Sequence, residues 1–106
     1  MDDKNFYLNS EGVVMPRHNT VTDELIDSRI IKEQYHVFDG TTVTVCVLTL
    51  VNEFTVIGES ACADPANFNE GTGRHYARRD ATTKIGRLEG YLLRQQLHEG
   101  KGKTRA

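Results

Sequence analysis

Apolar residues in this chain recur with two different periods, and the change between them outlines a fold. TTVTVCVLTLV (41–51) is β-branched almost throughout and predicts a strand. One face would carry Val43, Val45, Val47, Thr49 and Val51, the other Thr42, Thr44, Cys46, Leu48 and Leu50. Both faces are largely apolar. Both are therefore expected to be covered, one by a helix and the other by a helix or another subunit. FTVIGESA (54–61) reads as a second strand. A two-residue loop at Asn52–Glu53 would pair Val51 with Phe54 and Thr49 with Val56, although glycine suits such a turn better than Glu53.

The period then lengthens. From Asn69 or Thr72, either of which can cap, to about Leu97, the positions Ala77, Ala81, Ile85, Leu88 and Leu92 form one helical stripe. Toward the N-terminus the same face continues into Arg78 and Arg74, one turn apart, beside the free N–H groups and positive dipole end of the first turn. Two stacked arginines at that pole predict an anion site. Asp64–Pro65 predicts a single capped turn just before it. Gly71 and Gly73 would let a ligand approach the backbone.

Upstream, Thr22 is a good cap, Asp23 and Glu24 suit a first turn, and Leu25, Ile26 and Ile30 make an apolar stripe, which predicts a helix at about 23–34. YHVFDG ends it at a turn. The expected class is α+β: a β-hairpin or antiparallel sheet packed with an N-terminal helix and a long C-terminal helix. Residues 20–98 would form the single domain, with 1–19 a mobile arm or edge segment and 99–106 a flexible basic tail.

Composition narrows the function. A chain of 106 residues supports one modest core. No segment has the apolar length of a membrane span or a signal region, so a soluble protein of the cytoplasm is expected. The net charge of −2 is unevenly divided: residues 1–66 carry 4 basic and 11 acidic side chains (−7), residues 67–106 carry 9 and 4 (+5). The basic half suits phosphate, whereas a bulk nucleic-acid binder is more often basic overall, so no specific nucleic acid is expected. Cys46 and Cys62 are read as reduced and buried. With His36 and His75 they lack zinc-ligand spacing, no cofactor motif is present, and no carboxylate pair stands at catalytic spacing.

Two blocks, TVCVLTLVNEFTVIGESACADPANFN (44–69) and the GR…LEGYLL helix, together resemble a family of small tailed-phage proteins of formerly unknown function. The same pattern resembles the first-described Thoeris anti-defence proteins, phage sponges that sequester cyclic ADP-ribose isomers and, in some members, cyclic oligonucleotides. The resemblance spans roughly residues 35–97. It implies dimers assembling into higher oligomers, nucleotide pockets at subunit interfaces, two arginines one turn apart, an aromatic stacked on the base, and an asparagine. Arg74 and Arg78 match the arginine pair; the aromatic is Phe54 or Phe68 and the amide Asn67 or Asn69. The chain departs from the pattern at Glu53, where the hairpin usually has glycine, at Gly71, and at Gly86, which replaces a large aromatic.

Each of these residues also has a plainer role. Arg74 and Arg78 could simply pair with acids of the first half, such as Glu59 or Asp64. Phe54 could pack in the sheet and Phe68 plug a loop, while Asn67 and Asn69 serve as turn and cap residues. The expectation is a non-enzymatic homo-oligomeric sponge for a cyclic nucleotide. The alternative is a small phage protein that binds and inhibits a host protein; a phosphodiesterase ranks last because no general base or metal set is visible.

Overall fold

A computed structural model describes residues 6–8, 11–12, 14–16 and 20–104. In chain order the elements are β1 (Phe6–Leu8), β2 (Val14–Pro16), α1 (Asp23–Ser28), β3 (Ile30–Val37), β4 (Val43–Leu50), β5 (Thr55–Ala61), a 3₁₀ turn (Pro65–Asn67) and α2 (Glu70–Thr104). β3, β4 and β5 form an antiparallel sheet in that order, and β1 and β2 pair with each other. The expected α+β class, an antiparallel sheet with a short N-terminal and a long C-terminal helix, is what the chain adopts.

α2 lies across one face of the sheet. Ala77, Ala81 and Ile85 are fully buried against Cys46, Leu48, Leu50 and Val56. The small side chains of Ala77 and Ala81 meet Gly58, where an added Cβ would run into the Ala77 carbonyl and the Ala81 backbone nitrogen. Helix and strand therefore touch almost backbone to backbone. At the other end of the contact, Arg29 donates through Nε and Nη2 to Glu89 Oε1 (3.2 and 3.1 Å), an almost buried pair that ties the α1–β3 junction to α2.

Several boundaries differ from expectation. The helix expected at 23–34 ends at Ser28, and residues 30–37 form β3. Ile30, Lys32 and Gln34 could continue a helix by local preference, but pairing with the strongly β-forming β4 decides the outcome. The β4–β5 loop holds three residues, not two: Leu50 N–H donates to Phe54 O (2.8 Å), and Glu53 closes the turn at φ 70°. Thr49 is consequently opposite Thr55, one residue from the expected Val56.

α2 runs to Thr104, past the expected end near Leu97 and into the stretch expected to be a flexible tail. Gly100 and Gly102 weaken a helix by only about 1 kcal/mol each, and the Gln95–Glu99 hydrogen bond (3.1 Å) supports the turn before them. Within the stretch expected to be a mobile arm or an edge segment, β1 and β2 form a short antiparallel pair, and β2 runs alongside α2; the other residues of 1–19, apart from 11–12, lie outside the described ones.

Length mismatch leaves part of the helix uncovered. A 35-residue helix is about 52 Å long and an eight-residue strand about 26 Å. Beyond Ile85 the apolar stripe outruns the sheet, and Leu88, Tyr91 and Leu92 are 46%, 75% and 39% exposed. The radius of gyration is 17.9 Å, against about 13 Å for a compact chain of this length. The second sheet face, with Val43, Val45, Val47 and Thr49, is half-buried, so within one chain α2 covers one face only.

Candidate ligand pocket at the start of the long helix

The segment from β5 to α2 is a chain of local caps. Thr42 Oγ1 donates to Cys62 O (2.6 Å) and the Cys62 thiol to Asp64 O (3.1 Å). Asp64 Oδ1 accepts Ala66 N–H (3.0 Å), opening the turn that Pro65 starts. Asn69 caps α2, its Oδ1 accepting Thr72 N–H (3.0 Å) while its carbonyl accepts Gly73 N–H (2.8 Å). Ser60 Oγ then donates to Gly73 O (2.7 Å), fastening the first turn onto β5.

These caps surround a hollow of about 410 Å³. Asn67, Phe68 and Asn69 line it from the loop, Thr72, Gly73 and Tyr76 from the first turns of α2, and Ser60 and Cys62 from the strand end. Two aromatic surfaces, two amides and a helix N-terminus are thus gathered in one concavity. With Oδ1 engaged in the cap, Asn69 retains its amide nitrogen as a donor. The arrangement suits a planar, hydrogen-bonding ligand with a negative group near the helix dipole.

The arginines lie elsewhere. Residues 76 and 78 are about 200° apart around a helix, so Arg78 points away from the side that Tyr76 lines. Arg78 borders a second, more open groove of about 510 Å³ between α1 and α2, with Asp23, Asp27, His75, Arg79 and Thr82. Its guanidinium is already engaged: Nε donates to Glu33 Oε1 (3.1 Å), and Nη2 donates to Glu33 Oε2 (3.4 Å) and Asp27 Oδ1 (3.3 Å). Tyr35 OH donates to the same Glu33 carboxylate (2.7 Å).

The Tyr35 hydrogen bond, then the Arg78 one, hold the Glu33 carboxyl below its ordinary range; burial first, then Glu33, push the Tyr35 phenol up. The Glu33 hydrogen bonds raise the Arg78 pKa further. Burial pushes the Cys46 thiol up, which suits the inert core residue expected there.

Of the six residues singled out from the sequence, the fold brings together Asn67, Phe68 and Asn69. Arg74 is exposed, lines neither hollow, and makes no ion pair among the described residues. Phe54 is 54% exposed at the β4–β5 turn, a strand length of about 20 Å from the pocket. Tyr76 was missed, although its position one turn after Thr72 places it on the cap side of the helix. Among the described residues no three His, Cys, Asp or Glu side chains gather as a metal site would require, and no helix is long and apolar enough to cross a membrane.

Fold and pocket define a small α+β protein with a ligand-sized hollow at a helix N-terminus. The chain belongs to the phage protein (N4 Gp49/phage Sf6 gene 66) family, whose model matches residues 21–97, nearly three-quarters of the length. No curated protein and no solved structure matches it.

Proposed function

We propose that this phage protein is a sponge: it binds a cyclic nucleotide signal, a cyclic ADP-ribose isomer or a cyclic oligonucleotide, in the host cytoplasm and withholds it without cleaving it. The observation that carries this reading is the convergence of Asn67, Phe68, Asn69 and Tyr76 on one hollow at the N-terminus of α2. An aromatic wall accepts a base, the amides address its edge, and the helix terminus favours phosphate. The resemblance to the Thoeris anti-defence proteins points to the same ligand class.

Arg74 and Arg78 enter this reading from a second subunit. Because Arg78 and Tyr76 sit on opposed sides of α2, a ligand touching the pocket and an arginine pair requires two copies, in keeping with a homo-oligomer. Arg78 would then exchange its carboxylates for phosphate, to which a guanidinium can make paired hydrogen bonds. Sequestration needs slow release and no chemistry. Mixing the protein with a cyclic ADP-ribose isomer, removing free ligand and denaturing by heat should return the ligand intact. Absence of binding by calorimetry and thermal shift, across cyclic ADP-ribose isomers and cyclic di- and trinucleotides, would end this reading.

A second reading, inhibition of a host protein, draws on the uncovered Leu88, Tyr91 and Leu92 of α2. It predicts that Tyr91→Ala abolishes capture of a partner from host lysate while nucleotide binding is undetectable in the unaltered protein.

A further inference from the structure

β4 changes chemistry toward one end of the core. On the side that faces α2, Cys46, Leu48 and Leu50 are apolar, whereas Thr44 and Thr42 carry hydroxyls, and Thr44 stands opposite Ser60 in the β4–β5 ladder. Thr42 and Ser60 line the hollow; Thr44 lies one step further in and is fully buried. Thr42 Oγ1 donates to Cys62 O and Ser60 Oγ to Gly73 O, so both of those hydroxyl hydrogens are committed. Thr44 Oγ1 has no partner. Among the described residues it is the one buried side-chain N or O atom left without a hydrogen bond.

Such an atom lowers stability, and folded proteins keep few of them. Valine has the same shape, forms strands as well and leaves nothing unpaired; it already stands at 43, 45 and 47. Threonine at 44 is therefore the less stable choice for the free chain, and nothing in the fold uses its hydroxyl.

The direction of that hydroxyl points to a use. A Cβ built on Gly73 would lie 2.5 Å from Thr44 Oγ1 and 3.4 Å from Phe68 Cε1, so hydroxyl, ring edge and bare backbone meet at one point. Gly73 and Phe68 both line the hollow. Oγ1 is thus aimed at its inner corner, with the half-buried Phe68 ring alongside.

We propose that Thr44 Oγ1 is the innermost ligand contact of the hollow: when the Phe68 ring turns aside, the hydroxyl donates to a neutral acceptor, a ring nitrogen or carbonyl, on a flat heteroaromatic base. The inference rests on the reading of the hollow as a nucleotide site and gives the ligand a direction within it. Among the described residues no charged side chain lines the hollow, so a phosphate driven to the inner corner would lose its hydration with no counter-charge. The base goes inward, and phosphate stays at the mouth, near the free N–H groups of α2. Caps at Asp64 and Asn69 hold the loop backbone on either side of Phe68, so rotation of its side chain alone admits the base, and the ring then offers it a stacking face.

The test is a pair of near-isosteric variants read in two ways. Thr44→Val should raise the melting temperature of the free protein by several degrees, because the unpaired hydroxyl is gone. The same variant should bind free adenine, followed by ligand-observed NMR, and a cyclic ADP-ribose isomer, followed by calorimetry, about 10-fold more weakly. Thr44→Ser, which keeps the hydroxyl, should retain most of the binding. A structural role for the hydroxyl would move stability the other way. A lower melting temperature for Thr44→Val, or unaltered affinity for whichever probe binds, would overturn the proposal. The sponge reading is judged separately: a cyclic ADP-ribose isomer that binds the unaltered chain and Thr44→Val alike leaves that reading standing and removes the inner contact. Adenine held through Thr44 by a chain that binds no cyclic nucleotide does the reverse, and binding of neither probe overturns both.

Discussion

Arg78 and Glu33 meet side by side across α2 and β3, Nε to Oε1 at 3.1 Å and Nη2 to Oε2 at 3.4 Å, although 45 residues separate them in the chain. The pair fills the place an incoming phosphate would seek. An anion that binds Arg78 must displace this carboxylate, so Glu33→Gln should strengthen binding of a cyclic nucleotide several-fold by calorimetry if Arg78 contacts the ligand, and leave it unchanged if the pair is purely structural.

The same pair predicts a pH dependence of stability. Glu33 titrates below its ordinary value of 4.5 in the folded chain. Its contribution is therefore complete above the unfolded value and is lost as pH falls through the lowered folded value. Melting temperatures measured from pH 6 to pH 3 should fall further for the unaltered protein than for Glu33→Gln. Because both side chains are more than a third exposed, solvent screening keeps the difference small. Parallel curves would show that the pair contributes nothing to folding.

Gly58 is where helix and sheet touch most closely. Gly58→Ala would drive its methyl group into the backbone of Ala77 and Ala81, which cannot move as a flexible side chain could. The expected loss is about 3 kcal/mol or more, seen as a lower midpoint in urea. A loss below 1 kcal/mol would mean that α2 lifts off β5 with little resistance.

Glu53 holds a left-handed conformation at φ 70° in the β4–β5 turn. A side chain there costs about 1–2 kcal/mol, which glycine does not incur. Glu53→Gly should raise the melting temperature by several degrees; an unchanged or lower value would contradict the turn geometry.

How far the sequence foretold this structure depended on the range of the deciding interaction. β4 was legible because Val43, Val45 and Val47 favour a strand on their own, and α2 because Ala77, Ala81 and Ile85 keep helical spacing. The caps at Asp64 and Asn69 are local and were legible too. β3 was not: Lys32, Glu33 and Gln34 are acceptable in a helix, and only β4 alongside makes them a strand. The site divided in the same way. Asn67, Phe68 and Asn69 are neighbours in the chain and meet in the pocket, whereas the Glu33 and Asp27 partners of Arg78 arise from tertiary folding. Spacing placed Arg74 and Arg78 on one helix face, but it could not show that the aromatic pocket opens on another.

Pocket variants separate the roles of the two aromatics. Stacking of a base on an aromatic ring contributes about 1–3 kcal/mol, so Phe68→Ala and Tyr76→Ala should each weaken nucleotide binding between about 5-fold and 150-fold. Tyr76 is 52% exposed, so its removal should spare the fold. Phe54→Ala, at the far turn, serves as comparison: weakening equal to that of Phe68→Ala would move the site away from the hollow.

The most direct measurement is isothermal titration of the full chain with a cyclic ADP-ribose isomer, repeated with Asn67→Ala and Tyr76→Ala, followed by chromatography of the ligand released on heating. The account predicts saturable binding, weaker in both variants, and a ligand returned unchanged. Binding of equal strength in all three proteins, or a ligand returned as cleaved product, would contradict it.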